Sequence, residues 1–190
     1  REEPQYSVRK ADGHDEDVAL MRFNSDYDWR VWQSTAGRTA FTTAAEGGDA
    51  ANRVCRIAYD MVGVKPGQRP EHVVAHTDLI VRGRPRRVAY RVFGDGQLHY
   101  LTFIFLDARG EVFEYQEPAL IDWMGWKRVE KAIPADFPTG WGNWNGDGKP
   151  DYPLRGFGFV LTAPSADAQG KGLLLIDDIE ITSDAPKPPG

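Results

Sequence analysis

Cysteine is almost missing from this 190-residue chain: Cys55 stands alone, which excludes an intrachain disulfide framework and a cysteine-based metal centre. Cys55 shares the strand phase of Arg53 and Ile57 and reads as a small core residue rather than a nucleophile. Histidine is scarce too, and His72 and His76 are its one close pair among four. On a strand, residues four apart share a face but lie about 13 Å from each other, too far to grip one metal ion. Gly-x-Ser-x-Gly is absent. No apolar run approaches the roughly 20 residues that span a bilayer, so no membrane insertion is expected. The net charge is −5 with no dominant basic patch, so the electrostatic footprint of nucleic-acid binding is missing. The one basic cluster, Arg84-Pro85-Arg86-Arg87, reads either as a solvated turn or as an anion site.

What the chain has in quantity is apolar and aromatic surface. Hydrophobic residues make up 41%, and six Trp, seven Tyr and nine Phe supply rings both for a core and for stacking on a ligand. Residues 1–16 are polar and without periodicity, and 183–190 are rich in proline. Both read as linkers around one module, 17–182, with covalently attached neighbouring domains expected beyond them. The first residue is Arg rather than Met and no signal peptide is visible, so the chain reads as a mature or excised fragment.

Within the module the apolar pattern has period two. It predicts strands over Asp17–Asn24, Trp29–Gln33, Asn52–Val62, His72–Val81, Arg87–Phe93, His99–Asp107, Glu111–Gln116, Trp126–Ile133, Gly156–Thr162 and Gly172–Thr182. Residues 134–154 read as a long loop, and 44–52 as one short helical turn. About ten strands with turn chemistry between them predict an all-β fold, a β-sandwich jelly roll of two antiparallel sheets.

Three groups of residues carry potential chemistry. Asp177 falls in strict alternation with Leu173, Leu175, Ile179 and Ile181, a carboxylate on the expected core phase. It reads as a ligand to a hard cation or as a buried cap on loop amides. The run Asn143-Trp144-Asn145-Gly146-Asp147-Gly148-Lys149-Pro150-Asp151 resembles the start of a calcium loop, although Leu154 occupies the position of the closing bidentate acid. A well-turned Asn/Gly/Asp loop accounts for the same residues. Trp123, Trp126, Trp141 and Trp144 cluster in sequence and read as sugar-stacking platforms or as plugs at the end of the sandwich. No catalytic residues emerge: Glu111, Glu114 and Glu130 offer acids for glycoside cleavage, but spacing singles out no pair.

An ordered set of short motifs runs along the chain: Arg22-Phe23-Asn24 and Trp29, Gly83-Arg84-Pro85, Gly94-Asp95-Gly96, Asp107-Ala108-Arg109-Gly110-Glu111, Asp122-Trp123, Gly125-Trp126-Lys127, Pro153 and Ile176-Asp177-Asp178-Ile179. In this order the chain resembles bacterial carbohydrate-binding modules of the jelly-roll, galactose-binding-like type. The resemblance implies a secreted or cell-surface, non-catalytic module that attaches a larger protein to a polysaccharide or oligosaccharide. It also implies a structural calcium between the first and last strands, with Asn24 (where such modules usually carry Glu), Asp49 and Asp177 as ligands. The implied binding surface is a concave sheet face or the loop edge. Its residues here would be Arg91, Tyr100, Thr102, Glu114 and Arg128, with Trp123, Trp141 and Trp144. Thr102 stands where related β-glucan binders use Arg, so the glycan itself is not carried over. A scaffold sandwich without a sugar ligand and a small jelly-roll lyase or hydrolase are the two competing readings.

Overall fold

The computed structural model describes residues 5–22, 29–33, 38–46, 49–60, 71–76, 80–115, 117–163 and 171–184; within 29–33, 38–46, 49–52 and 71–76 it describes the backbone alone. These residues contain no helix. In chain order the strands are β1 (Gln5–Ala11), β2 (His14–Met21), β3 (Trp29–Gln33), β4 (Arg38–Glu46), β5 (Asp49–Asp60), β6 (Glu71–His76) and β7 (Pro85–Asp95). There follow β8 (Tyr100–Leu106), β9 (Glu111–Glu114), β10 (Ala119–Leu120), β11 (Met124–Ala132), β12 (Gly140–Gly142), β13 (Gly156–Thr162) and β14 (Lys171–Asp184).

They form two seven-stranded sheets with every pairing antiparallel, the predicted sandwich. In the first sheet the long β14 is the spine. β7 runs along one side of it and carries β11 beyond. Its other side is shared, β5 pairing with Lys171–Ile176 and β2 with Ile179–Asp184. The second sheet runs β12-β9-β8-β13-β6-β3, with β10 also on β8.

The core fills the gap between them. Leu101, Phe103, Phe105, Phe113, Phe157 and Phe159 descend from the second sheet onto Val88, Tyr90, Val92, Leu174, Ile176 and Ile179 of the first, all at most 2% exposed. Strict alternation along β8 and β13 delivers these rings to one side, as sheet geometry requires. Cys55 is a fully buried member of the core, as its sequence phase implies. Burial first, and then the Asp177 charge, pushes its thiol up, so it stays protonated.

Three sequence expectations change. Residues 5–11, read as linker, form β1, because Asp12-Gly13 makes a two-residue hairpin turn with φ of 48° and 82° and sets Ala11 opposite His14. Of residues 44–52, read as a helical turn, the described 44–46 and 49–52 lie in β4 and β5, whose partners run from Arg38↔Asp60 to Glu46↔Asp49. The 134–154 loop contains β12, which adds to the edge of β9.

Candidate functional site

The face of the second sheet turned away from the core is assembled by register. On β8, Tyr100, Thr102 and Ile104 alternate with the core residues Leu101, Phe103 and Phe105. Thr102 stands opposite Val160, and Ile104 opposite both Glu114 and Gly158. Leu106 stands opposite Val112, and Val112 opposite Trp141 of β12. One surface therefore brings together Tyr100, Thr102, Glu114 and Trp141. Its floor is a small apolar cluster of Ile104, Val112 and Val160, at most 5% exposed. Along β13, Gly156 and Gly158 place no side chain on this face. Thr102 is itself 4% exposed and belongs to the floor rather than the rim. Trp141, 37% exposed, presents its ring at the edge.

The other residues expected at a binding face lie elsewhere. Arg91 and Arg128 face each other across β7 and β11, in the opposite sheet from Tyr100. Arg91 bonds Asp178 at 3.2 Å and stacks its guanidinium 4.5 Å from the Trp126 ring centre. Arg128 bonds Glu180 at 2.8 Å. With Arg87 on Glu16 at 2.9 Å they make a lattice of ion pairs on the outside of the first sheet. Sequence alternation identified the polar phase of each strand but not which sheet the strand joins. Trp123 is half-buried against the core, its indole N–H 3.5 Å from the Val92 carbonyl and Lys127 over its ring. Trp144 packs edge-on to Phe113 at 5.4 Å and plugs the end of the sandwich.

The three acids considered for glycoside cleavage also separate. Glu130 lies among the arginines of the first sheet, Glu114 on the outer face of the second, and Glu111 is buried.

Glu111 belongs to an acidic centre that the sequence reading passed over. Asp107 opens the β8–β9 turn, and its Oδ1 accepts the amides of Arg109 and Glu111 at 2.8 and 2.9 Å. Its Oδ2 accepts the amide of Asp151 at 2.9 Å, tying that turn to the 143–151 loop. Glu111 Oε1 accepts the Asn145 amide at 2.7 Å. Its Oε2 is buried with no hydrogen-bond partner. Oxygens of Asp107, Glu111 and Asp151 lie within 4.8 Å of one another. The Asn145 amide, by stabilising the charged form, draws the Glu111 pKa downward. Burial and then the adjoining Asp107, with Asp147 beyond, outweigh it, and the carboxyl sits above its usual range. Clustered carboxylates with one buried oxygen lacking a donor fit a hard divalent cation. The signal was the Asp-x-x-x-Glu spacing across a Gly110 turn, which sets both acids at one hairpin end.

Asn145 and Asp147, two of the oxygens read as a calcium-loop start, instead accept the loop's own amides from Asp147 and Lys149 at 2.7 and 2.8 Å. This is the turn alternative. Asp177 also departs from its expected phase. A bulge between Asp177 and Glu180, with Asp178 at φ 47°, moves the core phase from Leu174 and Ile176 to Ile179 and Ile181. Asp177 falls off that phase, opposite Arg91, though still only 4% exposed. Asn24 lies outside the described residues. Asp49 begins β5, but its side chain is outside them too.

No family model and no curated protein matches this sequence. Solved structures do. A family 11 carbohydrate-binding module from Clostridium thermocellum, in complex with a β-1,3-1,4-mixed-linked tetrasaccharide, superposes at TM-score 0.60 with 11% identity, over 90% of this chain and 98% of its own. The family 11 module of the cellulosomal cellulase Lic26A-Cel5E of the same organism gives 0.58 with 12% identity, over 91% and 98%. A carbohydrate-binding module of the β-sandwich superfamily gives 0.50 with 8% identity, over 94% and 86%. At these identities the likeness is one of fold: the chain has the β-sandwich of carbohydrate-binding modules. Among the described residues, no helix is long and apolar enough to cross a membrane.

Proposed function

We propose that this chain is a non-catalytic module that binds a polysaccharide along the outer face of the second sheet. The observation that carries this reading is the register that unites Tyr100, Glu114 and Trp141 around an apolar, glycine-lined floor. Sugars offer apolar C–H faces to rings and hydroxyls to polar rims. The fold adds support, since one neighbour of the same architecture holds a mixed-linked tetrasaccharide. Attachment to a larger secreted or surface protein is the corresponding biological role, acting by raised local concentration.

Affinity electrophoresis through mixed-linked β-glucan, mannan and galactan tests the reading. Wild type is expected to be retarded by at least one polymer. Trp141→Ala should weaken that retention about tenfold, a 1.4 kcal/mol loss. Lys127→Ala, on the first sheet, should leave it unchanged. Free migration in every polymer refutes glycan binding.

The acidic centre suits a structural cation, calcium by the hardness of its ligands, held by Asp107, Glu111 and Asp151. Bound there, the ion would neutralise carboxylates that otherwise repel one another and would join the β8–β9 turn to the 143–151 loop. Calcium at about a hundredfold excess over Kd should stabilise the chelated protein by about 2.7 kcal/mol, about 5–10 °C in Tm. Glu111→Gln should abolish that response. An absent shift removes the ion from the account, and one that persists in Glu111→Gln moves it to other ligands such as Asp177.

A further inference from the structure

At one end of the sandwich an open cavity of about 520 Å³ lies between the start of β7, the end of β11 and the loop before β13. Among the described residues three cations line it, Arg84, Arg86 and Lys149, and no carboxylate does. Arg86 is paired with Asp184 at the end of β14. Arg84 and Lys149 make no ion pair among the described residues, whereas Arg87 and Arg128 farther along the same sheet are balanced by acids.

The remaining wall is apolar: Ile133, Pro150 and the half-buried Tyr152 ring, with the Arg84 guanidinium 5.7 Å from the ring centre. Burial pushes the Tyr152 phenol up, and the Arg84 and Arg86 charges pull against it. The volume falls within the usual range for small-ligand sites, roughly 300–1,000 Å³. A bare inorganic anion would engage the cations and leave the apolar wall idle. A neutral sugar would do the reverse.

We infer that this cavity is a second binding site, for a sugar residue carrying a carboxylate, a uronate. Its carboxylate meets Arg84 and Lys149, and its C–H face lies on Tyr152. The site is distinct from the sheet face and does not depend on neutral glycan binding there.

Calorimetry on the whole chain tests it, with galacturonate trisaccharide, its neutral methyl ester and inorganic phosphate as probes. The acid is expected to bind, with affinity falling as ionic strength rises, and the ester to bind at least tenfold more weakly. Arg84→Ala and Lys149→Ala should each weaken the acid about tenfold, within the range for a charge-assisted contact. Trp141→Ala should not change it. The inference is overturned by equal binding of acid and ester, by wild-type affinity in both cation variants, by phosphate competing as well as the acid, or by no binding of the trisaccharide. Trp141→Ala separates this outcome from that of the sheet face, because it acts only on the neutral polymer.

Discussion

Phe103→Ala should destabilise the fold by about 3–5 kcal/mol, the range for emptying an aromatic site in a packed core. Phe103 sits at the centre of the ring cluster that joins the two sheets. It stacks on Phe157 of β13 and Tyr90 of β7, each at 6.0 Å, and meets Phe159 edge-on at 5.6 Å. Its exposure is 2%, so nearly all of its area leaves water on folding. The neighbours are themselves large rings held by strand register, which limits how far they can collapse into the space. Against a total stability of about 5–15 kcal/mol, that loss is a large fraction. Urea unfolding should show a lower midpoint with an unchanged slope. A loss under about 1 kcal/mol would mean that the two sheets do not meet through this ring.

Asp107→Ala should be the next most damaging single change, at about 3 kcal/mol or more. One carboxylate, 1% exposed, accepts three backbone amides, from Arg109, Glu111 and Asp151. Hydrogen bonds to a charged group contribute about 1.5–3 kcal/mol each, and a buried amide left unbonded costs about 1–3. Three bonds on one group are not additive, so the estimate stays below their sum. Asp107→Asn keeps one acceptor oxygen but turns an NH₂ donor toward at least one amide, and should recover only part of the loss. Hydrogen exchange would locate the effect, with the amides of Glu111 and Asp151 losing protection first. Equal urea midpoints for wild type and Asp107→Ala would refute the role.

The sheets were largely readable because period-two patterning reports local geometry, and β7, β8 and β13 alternate cleanly. What failed was everything that depends on a break in the period or on partners distant in sequence. A bulge of one extra residue after Asp177 moved the core phase by one, and alternation read straight through it assigned that carboxylate to the core side. Arg91 and Tyr100 have the same polar phase on successive strands, yet β7 and β8 belong to different sheets, so they face opposite ways. Asp12-Gly13 was a legible hairpin signal hidden among charges. Trp141 was legible as a candidate because it lies in a glycine-rich loop. Trp144, three residues on, was indistinguishable from it until Phe113 was seen beneath its ring.

The long spine of the first sheet has a bearing on biosynthesis. β14 is the last of the described strands, and β2, β5 and β7 all hydrogen-bond to it rather than to one another. While the chain grows on a ribosome, the edges of those three strands therefore wait for a segment that follows about 160 residues behind β2 and about 80 behind β7. Such sequence-distant pairing is slow and leaves strand edges open to wrong partners. Assembly of the first sheet is thus expected to wait until β14 has been made, and a premature stop before Lys171 should yield an aggregating product rather than a smaller folded one.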